Sequence, residues 1–293
     1  DFAIGQLIEA TRNPKSRLGF LIFGLVANFT ALILFKWLSE SQSTSIPPGL
    51  SFHTFQSAAY LIEVYFHRFQ AERHFATYAQ YILFWPQLVA GPIERPNGLL
   101  RQIQTSRNPS QTLTIEGFEL LVLGFIKKLV IADRISLLTG PVFSNPHFYA
   151  GLPLLVAILA FGFEIYCDFS GYTDIARGCG KLMGYELVEN FRQPLLSSSP
   201  AELWRKWHMS LTSWLRDYLY LPMVGKDPSG NRKMAGVVCV FAIIGLWHGL
   251  RPTMLLWGLY ESLWVIAAHR FKFQRLGVLS VPVTFAIVAI GFG

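Results

Sequence analysis

Residues 235–250 read AGVVCVFAIIGLWHGL, an apolar run without a charged side chain that carries a histidine near its end, between Gly245 and Gly249. Residues 75–93, 135–163 and 276–293 are also free of Asp, Glu, Lys and Arg. A helix needs about 20 mostly apolar residues to cross a bilayer, and these runs meet or approach that length. The sequence therefore predicts an integral membrane protein whose spanning elements are helices, and not a soluble protein with one anchor.

The composition agrees with this class. Only 15% of the 293 residues are charged and the mean hydropathy is +0.37, whereas a soluble domain carries about 25% charged residues. The net charge of +7 comes from Lys and Arg grouped in short hydrophilic connections, such as residues 226–233. Such connections are normally held on the cytoplasmic side of a membrane, so we expect membrane lipid and no nucleic acid as a partner.

The pattern along the chain predicts one all-α domain, residues 1–293, with about eight or more membrane-associated segments. The best candidate spans are residues 18–38, 152–167, 234–248, 253–270 and 278–292. Residues 168–233 are too polar to cross lipid repeatedly but are rich in Trp and Leu, which predicts interfacial or re-entrant helices. Because the sequence lacks a starting Met and stops inside an apolar run, we expect a fragment without its natural termini.

The cysteines and histidines show no metal-ligand spacing. Cys167, Cys179 and Cys239 are scattered, and His208 and His248 are 40 residues apart without a Cys or His one helical turn away. We therefore predict no metal site and no bound cofactor.

Residues 199–218 predict an amphipathic helix. Ser199, Pro200 and Glu202 form a helix-start signature, and a continuous helix would place the Trp and Leu side chains on one face. His208 would then lie at the edge of the apolar face, one turn from Trp204. It is either a structural residue with a hydrogen-bonded neighbour or a site residue.

His248 ends the apolar run in the stretch Gly245-Leu246-Trp247-His248-Gly249. An ionisable group at membrane depth is costly and is a candidate functional residue for that reason. Desolvation favours neutral imidazole, the form that accepts a proton. The alternative is a buried histidine satisfied by one hydrogen bond.

Asp168 and Asp174 follow a predicted span directly. They could relay protons, cap a helix or pair with Arg177 and Arg192, and a structural role is favoured because Asp near helix ends usually caps. The Gly-Pro turn at residues 91–95 is likewise read as a structural break.

Several of these motifs together resemble the bacterial membrane-bound O-acyltransferases, closest to the branch of the alginate O-acetyltransferase membrane subunit. The resemblance runs from about residue 49 to residue 259, and its motifs occur in the same order and spacing. The matching stretches are PQLVAGPI at 86–93, DFSGY at 168–172, WRKWH at 204–208, WLRDYLY at 214–220, GLWHG at 245–249 and WGL at 257–259.

The resemblance implies a helical ring around a central tunnel, with His248 as the catalytic histidine and His208 as the second active-site position. It also implies acetyl-CoA or another acyl thioester as co-substrate, and an extracytoplasmic acyltransferase partner protein. The implied location is the bacterial cytoplasmic membrane, in multi-pass form, and the implied role is acetylation of an exported polysaccharide such as alginate. Candidate tunnel or donor-binding residues are Trp204, Trp207, Arg205, Lys206, Arg216, Trp247 and Asp168.

One position departs from the family pattern. Many relatives carry His-Gly just after the Trp-Gly-Leu motif, whereas this chain has Glu261 and Ser262. The departure affects the assignment to a subfamily more than the predicted reaction.

Three other functions remain open. A relative of the same class transfers D-alanine to teichoic acid from a carrier-protein thioester. A proton-coupled transporter would need broken helices in two repeated halves, and no internal repeat is visible. A catalytically inactive scaffold of an export complex is the third.

Overall fold

A computed structural model describes residues 1–42, 45, 47–105, 108–226 and 228–292. Regular structure in these residues is helical and includes no strand, which confirms the predicted all-α class. The ring, the tunnel and the re-entrant helices stay predictions. The α-helices are α1 Phe2–Ala10, α2 Pro14–Gln42, α3 Leu50–Tyr65, α4 Phe75–Ile82, α5 Arg101–Ile103, α6 Gln111–Phe125, α7 Asp133–Ser144, α8 Leu152–Leu182, α9 Pro200–Lys206, α10 Met209–Leu215, α11 Leu221–Val224, α12 Gly230–His248, α13 Pro252–Arg270 and α14 Ser280–Phe292.

Shorter turns connect several of these helices. Wider π-helical turns are formed by Pro96–Leu100, Ile126–Ala132 and Arg216–Tyr220. Tighter 3-10 turns are formed by Pro146–Phe148, Pro194–Leu196 and Phe273–Leu279.

Four helical stretches among the described residues are long and apolar enough to cross a membrane. They are Pro14–Gln42, Leu152–Leu182, Gly230–His248 and Phe273–Phe292. Four of the predicted spans coincide with them, and the fifth coincides with α13, which does not meet the same criterion. The prediction of eight or more membrane-associated segments therefore stays a prediction.

Two of the uncharged runs are not continuous helices. The run at 135–163 is divided where α7 ends at Ser144, and α8 begins only at Leu152. The run at 75–93 forms a helix of only eight residues, α4. Proline explains both breaks, because Pro146 and Pro86 lack the N–H group that a continuing helix would donate.

The described residues cluster into two compact units, and the single-domain organisation stays a prediction. The first unit comprises Asp1–Leu121 and Ile175–Val188. Its core contains fully buried Tyr60, Tyr81 and Leu99.

A buried carboxylate stabilises the turn at residues 91–95 within the first unit. Glu94 is fully buried, and its Oε1 accepts a hydrogen bond from the Val188 N–H at 2.7 Å. The Tyr81 hydroxyl donates to the Glu94 carbonyl oxygen at 3.0 Å. Burial raises the pKa of Glu94 to about 7. These contacts support the predicted structural role of the Gly-Pro turn.

The second unit comprises Val122–Asp174 and Glu189–Gly293 and carries every predicted site residue. Its helices α12 and α13 pack backbone to backbone at two glycines. A Cβ added at Gly245 would lie 2.2 Å from the Met254 carbonyl oxygen, and one added at Gly258 would lie 2.2 Å from that of Phe241. Only residues without a side chain allow this spacing, which fixes the end of α12 against the start of α13.

Candidate active site

The predicted helix start at Ser199 is confirmed. The Ser199 hydroxyl accepts a hydrogen bond from the Glu202 N–H at 3.3 Å, and Pro200 occupies the first turn of α9. The Glu202 carboxylate in turn accepts from the Ser198 N–H at 2.9 Å and from its hydroxyl. This cap sets the start of the segment that carries His208.

The prediction of one continuous amphipathic helix over 199–218 is wrong. Helix α9 ends at Lys206, and α10 begins at Met209. Between them Trp207 is extended, and His208 has a φ of 43° in the left-handed region. His208 therefore does not lie one regular turn from Trp204 on a common helix face.

Hydrogen bonds to residues 190–192 explain the break. The N–H groups of Met209 and Ser210 donate to the carbonyl oxygen and to the side-chain Oδ1 of Asn190, at 2.8 and 3.1 Å. The Arg192 N–H donates to the Lys206 carbonyl oxygen at 3.0 Å. Backbone groups that would bond within a helix are satisfied by a neighbouring segment, so the chain can turn at His208.

His208 is buried, with 5% of its surface exposed. Its ring lies edge-on to that of Phe169, with 4.7 Å between centroids. Burial lowers the pKa of His208 to about 3, and the neighbouring His248 lowers it as well. The imidazole is consequently neutral across the physiological pH range and can donate or accept a hydrogen bond.

His248 is the last residue of α12 and is exposed, in contrast to His208. Its ring lies between two indoles, 4.6 Å from Trp247 and 5.1 Å from Trp257, and is perpendicular to the second. The Gly249 N–H still donates to the Gly245 carbonyl oxygen, so the backbone up to the histidine keeps helical hydrogen bonding. Helix α12 therefore presents His248 at its end.

The two histidines line the same cavity, although they are distant in sequence. The cavity has a volume of about 260 Å³. The Trp247 ring lies 6.5 Å from that of His208 and 4.6 Å from that of His248. The remaining lining residues are almost all aromatic or aliphatic: Ile165, Phe169, Trp204, Trp207, Leu211, Thr212, Ile244, Trp257 and Phe292. This arrangement is a largely apolar chamber with two imidazoles as its ionisable groups.

The structure brings Trp204, Trp207 and Trp247 together with the histidines in this cavity. Arg205 lines a separate cavity of about 200 Å³. Lys206 pairs with Glu202 one turn earlier, and Arg216 pairs with the adjacent Asp217, each at 2.7 Å. The basic candidates thus lie outside the histidine cavity.

Asp168 does not line the histidine cavity. It pairs with Lys128 at 2.6 Å, and Asp174 pairs with Lys127 at 2.6 Å. Both acids lie inside α8, which continues to Leu182, so the expectation that they lie near helix ends is wrong. The residue after Asp168, Phe169, is the one that contacts His208.

Several residues around the site were not selected from the sequence. Trp257, Thr212, Ile244 and Phe292 line the cavity, and Asn190 positions the turn at His208. The Trp-Gly-Leu motif was the available signal for Trp257. In the described part of the chain, no group of three His, Cys, Asp or Glu side chains could hold a metal ion.

A model of the membrane-bound O-acyltransferase family matches residues 27–278. The probable alginate O-acetylase AlgI of Pseudomonas aeruginosa is 36% identical over 84% of this chain and 48% of its own length. The peptidoglycan O-acetyltransferase of Helicobacter pylori is 28% identical over 99% of this chain and 64% of its own length. The teichoic acid D-alanyltransferase of Bacillus subtilis is 27% identical over 95% of this chain and 78% of its own length.

The chain spans about half the length of the alginate relatives that it matches. The family match itself covers most of the chain and includes both histidines and the four tryptophans that line their cavity. This protein belongs to the membrane-bound O-acyltransferase family.

Proposed function

We propose that the histidine cavity is the centre at which an acyl group passes from a thioester to a hydroxyl. The observation that carries the proposal is the convergence of His208 and His248 on one apolar cavity within a family of acyltransferases. Water is a competing acceptor for an activated acyl group, and an aromatic lining reduces its access.

The proposed step uses His248 as general base. Its neutral imidazole takes the proton of the acceptor hydroxyl while the hydroxyl oxygen attacks the thioester carbonyl carbon. The carbon–sulfur bond then breaks, an ester bond remains, and the proton passes from the imidazolium to the departing thiolate. Neutral His208 donates a hydrogen bond to the oxygen on which negative charge develops.

The proposed substrates follow from the relatives. Two of them are named as O-acetylating proteins, one for alginate and one for peptidoglycan. We infer that this protein moves an acetyl group from a cytosolic thioester, acetyl-CoA or another, toward an exported polysaccharide of the cell envelope. It would act in the bacterial cytoplasmic membrane with an extracytoplasmic acyltransferase partner. Arg205, with Lys206 and Arg216 close by in sequence, would attract an anionic donor.

D-alanyl transfer is the second candidate. The similarity to the teichoic acid D-alanyltransferase covers 95% of this chain, more than the similarity to the alginate relatives covers. The same two histidines would serve this reaction, because it also transfers an acyl group from a thioester to a hydroxyl. The donor and acceptor therefore have to be identified by experiment.

The test compares the full-length wild-type protein with His248→Ala in the native host. Ester-linked acetate and ester-linked D-alanine are measured on the isolated envelope and secreted polymers. His147→Ala is a matched control, because His147 is exposed on the turn Pro146–Phe148 and is not among the residues that line the cavity. Immunoblots of membrane fractions confirm equal amounts of each protein.

We expect acetate to disappear in His248→Ala and to remain in His147→Ala. Loss of D-alanine with acetate unchanged would replace acetyl transfer by the second candidate. Wild-type levels of both esters in His248→Ala would refute acyl transfer by this cavity.

A further inference from the structure

Trp204 lines two cavities of the second unit. One is the histidine cavity, and the other is the cavity of about 200 Å³ that Arg205 and His269 also line. Trp204, Thr212 and Ile244 are the residues that line both. The indole is the largest of these three side chains, so its orientation sets how far the histidine cavity extends.

One hydrogen bond fixes the polar end of this indole. The Trp204 Nε1–H donates to Oε2 of Glu261 at 3.1 Å. The ring also lies edge-on to Phe241 and Trp257, with centroid separations of 5.5 and 6.0 Å. Loss of this partly buried hydrogen bond would leave the Nε1–H without its acceptor, so the bond favours the observed rotamer of Trp204.

Glu261 is an unusual residue for its surroundings. It is fully buried, and among the described residues no cation pairs with it and its Oε1 has no hydrogen-bond partner. Helix α14 packs closely against it, since a Cβ at Gly291 would lie 2.3 Å from Oε1. A buried carboxyl group without compensation destabilises a fold, so its one bond, to Trp204, requires a functional explanation.

We propose that Glu261 is a positioning residue that holds Trp204 across the passage between the two cavities and thereby limits the enzyme to short acyl groups. This inference rests on the proposed acyl transfer at His248. An acyl chain that extends from the histidines toward Trp204 meets the indole and cannot enter the second cavity. If the Trp204 indole changes its rotamer, the two cavities join, and a longer acyl chain can bind.

The experiment measures transfer of acetyl, propionyl and butyryl groups from their CoA thioesters by the full-length protein in membranes. Glu261→Leu removes the acceptor of the Trp204 bond at similar size, and Glu261→Gln retains an acceptor oxygen as the matched control. Trp204→Ala opens the passage directly. Binding of the non-reactive thioether analogues of acetyl-CoA and butyryl-CoA is followed by thermal shift, which does not require turnover.

We expect the wild-type protein to prefer acetyl over butyryl by about tenfold or more, since each methylene in a closed pocket has a large effect. Glu261→Leu should reduce that preference about fivefold or more, Trp204→Ala should reduce it further, and Glu261→Gln should keep it. The relative binding of the two analogues should change in the same order.

An unchanged preference in Glu261→Leu and Trp204→Ala, with wild-type transfer intact, would overturn this inference alone. Failure of the wild-type protein to transfer any group and to bind either analogue would overturn this inference and acetyl-CoA as the donor, whereas the proposed function falls if His248→Ala retains wild-type levels of both esters.

Discussion

The segments that carry His208 and His248 reach the same cavity by opposite means. His248 ends a regular helix whose position depends on close packing at Gly245 and Gly258. His208 lies in a break between two short helices, and hydrogen bonds to Asn190 maintain that break. His248 is exposed at a helix end, whereas His208 is buried and neutral.

This difference separates two chemical tasks. A general base must reach the acceptor hydroxyl and exchange its proton, which suits the accessible His248. A hydrogen-bond donor to a developing oxyanion must stay neutral and preoriented, which suits the rigid, buried His208.

The largest difference is expected between the two histidines themselves. His248→Ala should lower kcat for acyl transfer by about 10²–10⁴-fold because it removes the general base. His208→Ala should lower it less than the largest loss expected for His248→Ala, by about 10²–10³-fold, since a hydrogen-bond donor is lost while the base remains. Transfer rates in membranes that contain equal amounts of each variant provide the measurement.

The double variant should be about as slow as His248→Ala alone, because residues that act on one transition state are not additive. A loss in His208→Ala that equals or exceeds the loss in His248→Ala would reverse the assigned roles.

The packing that supports His248 should be sensitive to one methyl group. Gly245→Ala places a Cβ 2.2 Å from the Met254 carbonyl oxygen, so α12 and α13 must separate. Overpacking of this kind costs about 1–3 kcal/mol of stability and should lower transfer together with the melting temperature. Gly140→Ala is the matched control, because, apart from its own helix turn, none of the described residues places an atom within 4 Å of its added Cβ. Equal melting temperatures for the two variants would show that the glycine contact does not position His248.

Loss of the hydrogen bond that supports His208 should reduce stability to a comparable degree. Asn190→Ala removes the acceptor of the Ser210 N–H but leaves the backbone bond from Met209, so a loss of about 1–3 kcal/mol is expected. Transfer should fall, because the turn at His208 becomes less rigid. Arg192→Ala is the control, since its exposed side chain pairs only with Glu189 in the described region while its backbone bond to Lys206 is kept. Similar transfer in both variants would contradict a role for Asn190.

The smallest effect is expected in the pH dependence of stability. The pKa of His208 is about 3 in the folded protein and near 6.5 in an unfolded chain, so the unfolded state binds the proton first on acidification. Stability should therefore fall as the pH decreases from about 6.5 toward 3. His208→Asn should lose less stability than the wild-type protein between pH 7.5 and pH 5.

Thermal unfolding in detergent at these two pH values checks this sign, with His147→Asn at the exposed turn as the control. Identical pH dependence in the wild-type protein and His208→Asn would show that His208 is not a buried neutral group.

Features that depend on local sequence were predicted well. The apolar run before His248 became α12, and the cap at Ser199 began α9, because hydropathy and capping act over a few residues. The helix break at His208 was missed, since it depends on Asn190, a residue 18 positions away. Asp168 was placed in the site because its motif is a family signature, whereas its partner is Lys128 on another helix.

The histidine cavity itself required the structure. Residues from five separate stretches of the chain line it, and no periodicity along one stretch indicates their convergence. The resemblance to a family gave the prediction that His208 and His248 are active-site residues, and the structure adds that they line one cavity in different environments.

The most direct test is an electron cryo-microscopy structure of the full-length protein with a non-reactive thioether analogue of acetyl-CoA. We predict that the carbonyl group of the analogue lies in the cavity between His208 and His248, with the oxygen about 2.6–3.2 Å from the His208 ring nitrogen. A carbonyl group bound outside that cavity, in a complex that still transfers acetate from the true thioester, would contradict the assignment of this cavity as the centre of acyl transfer.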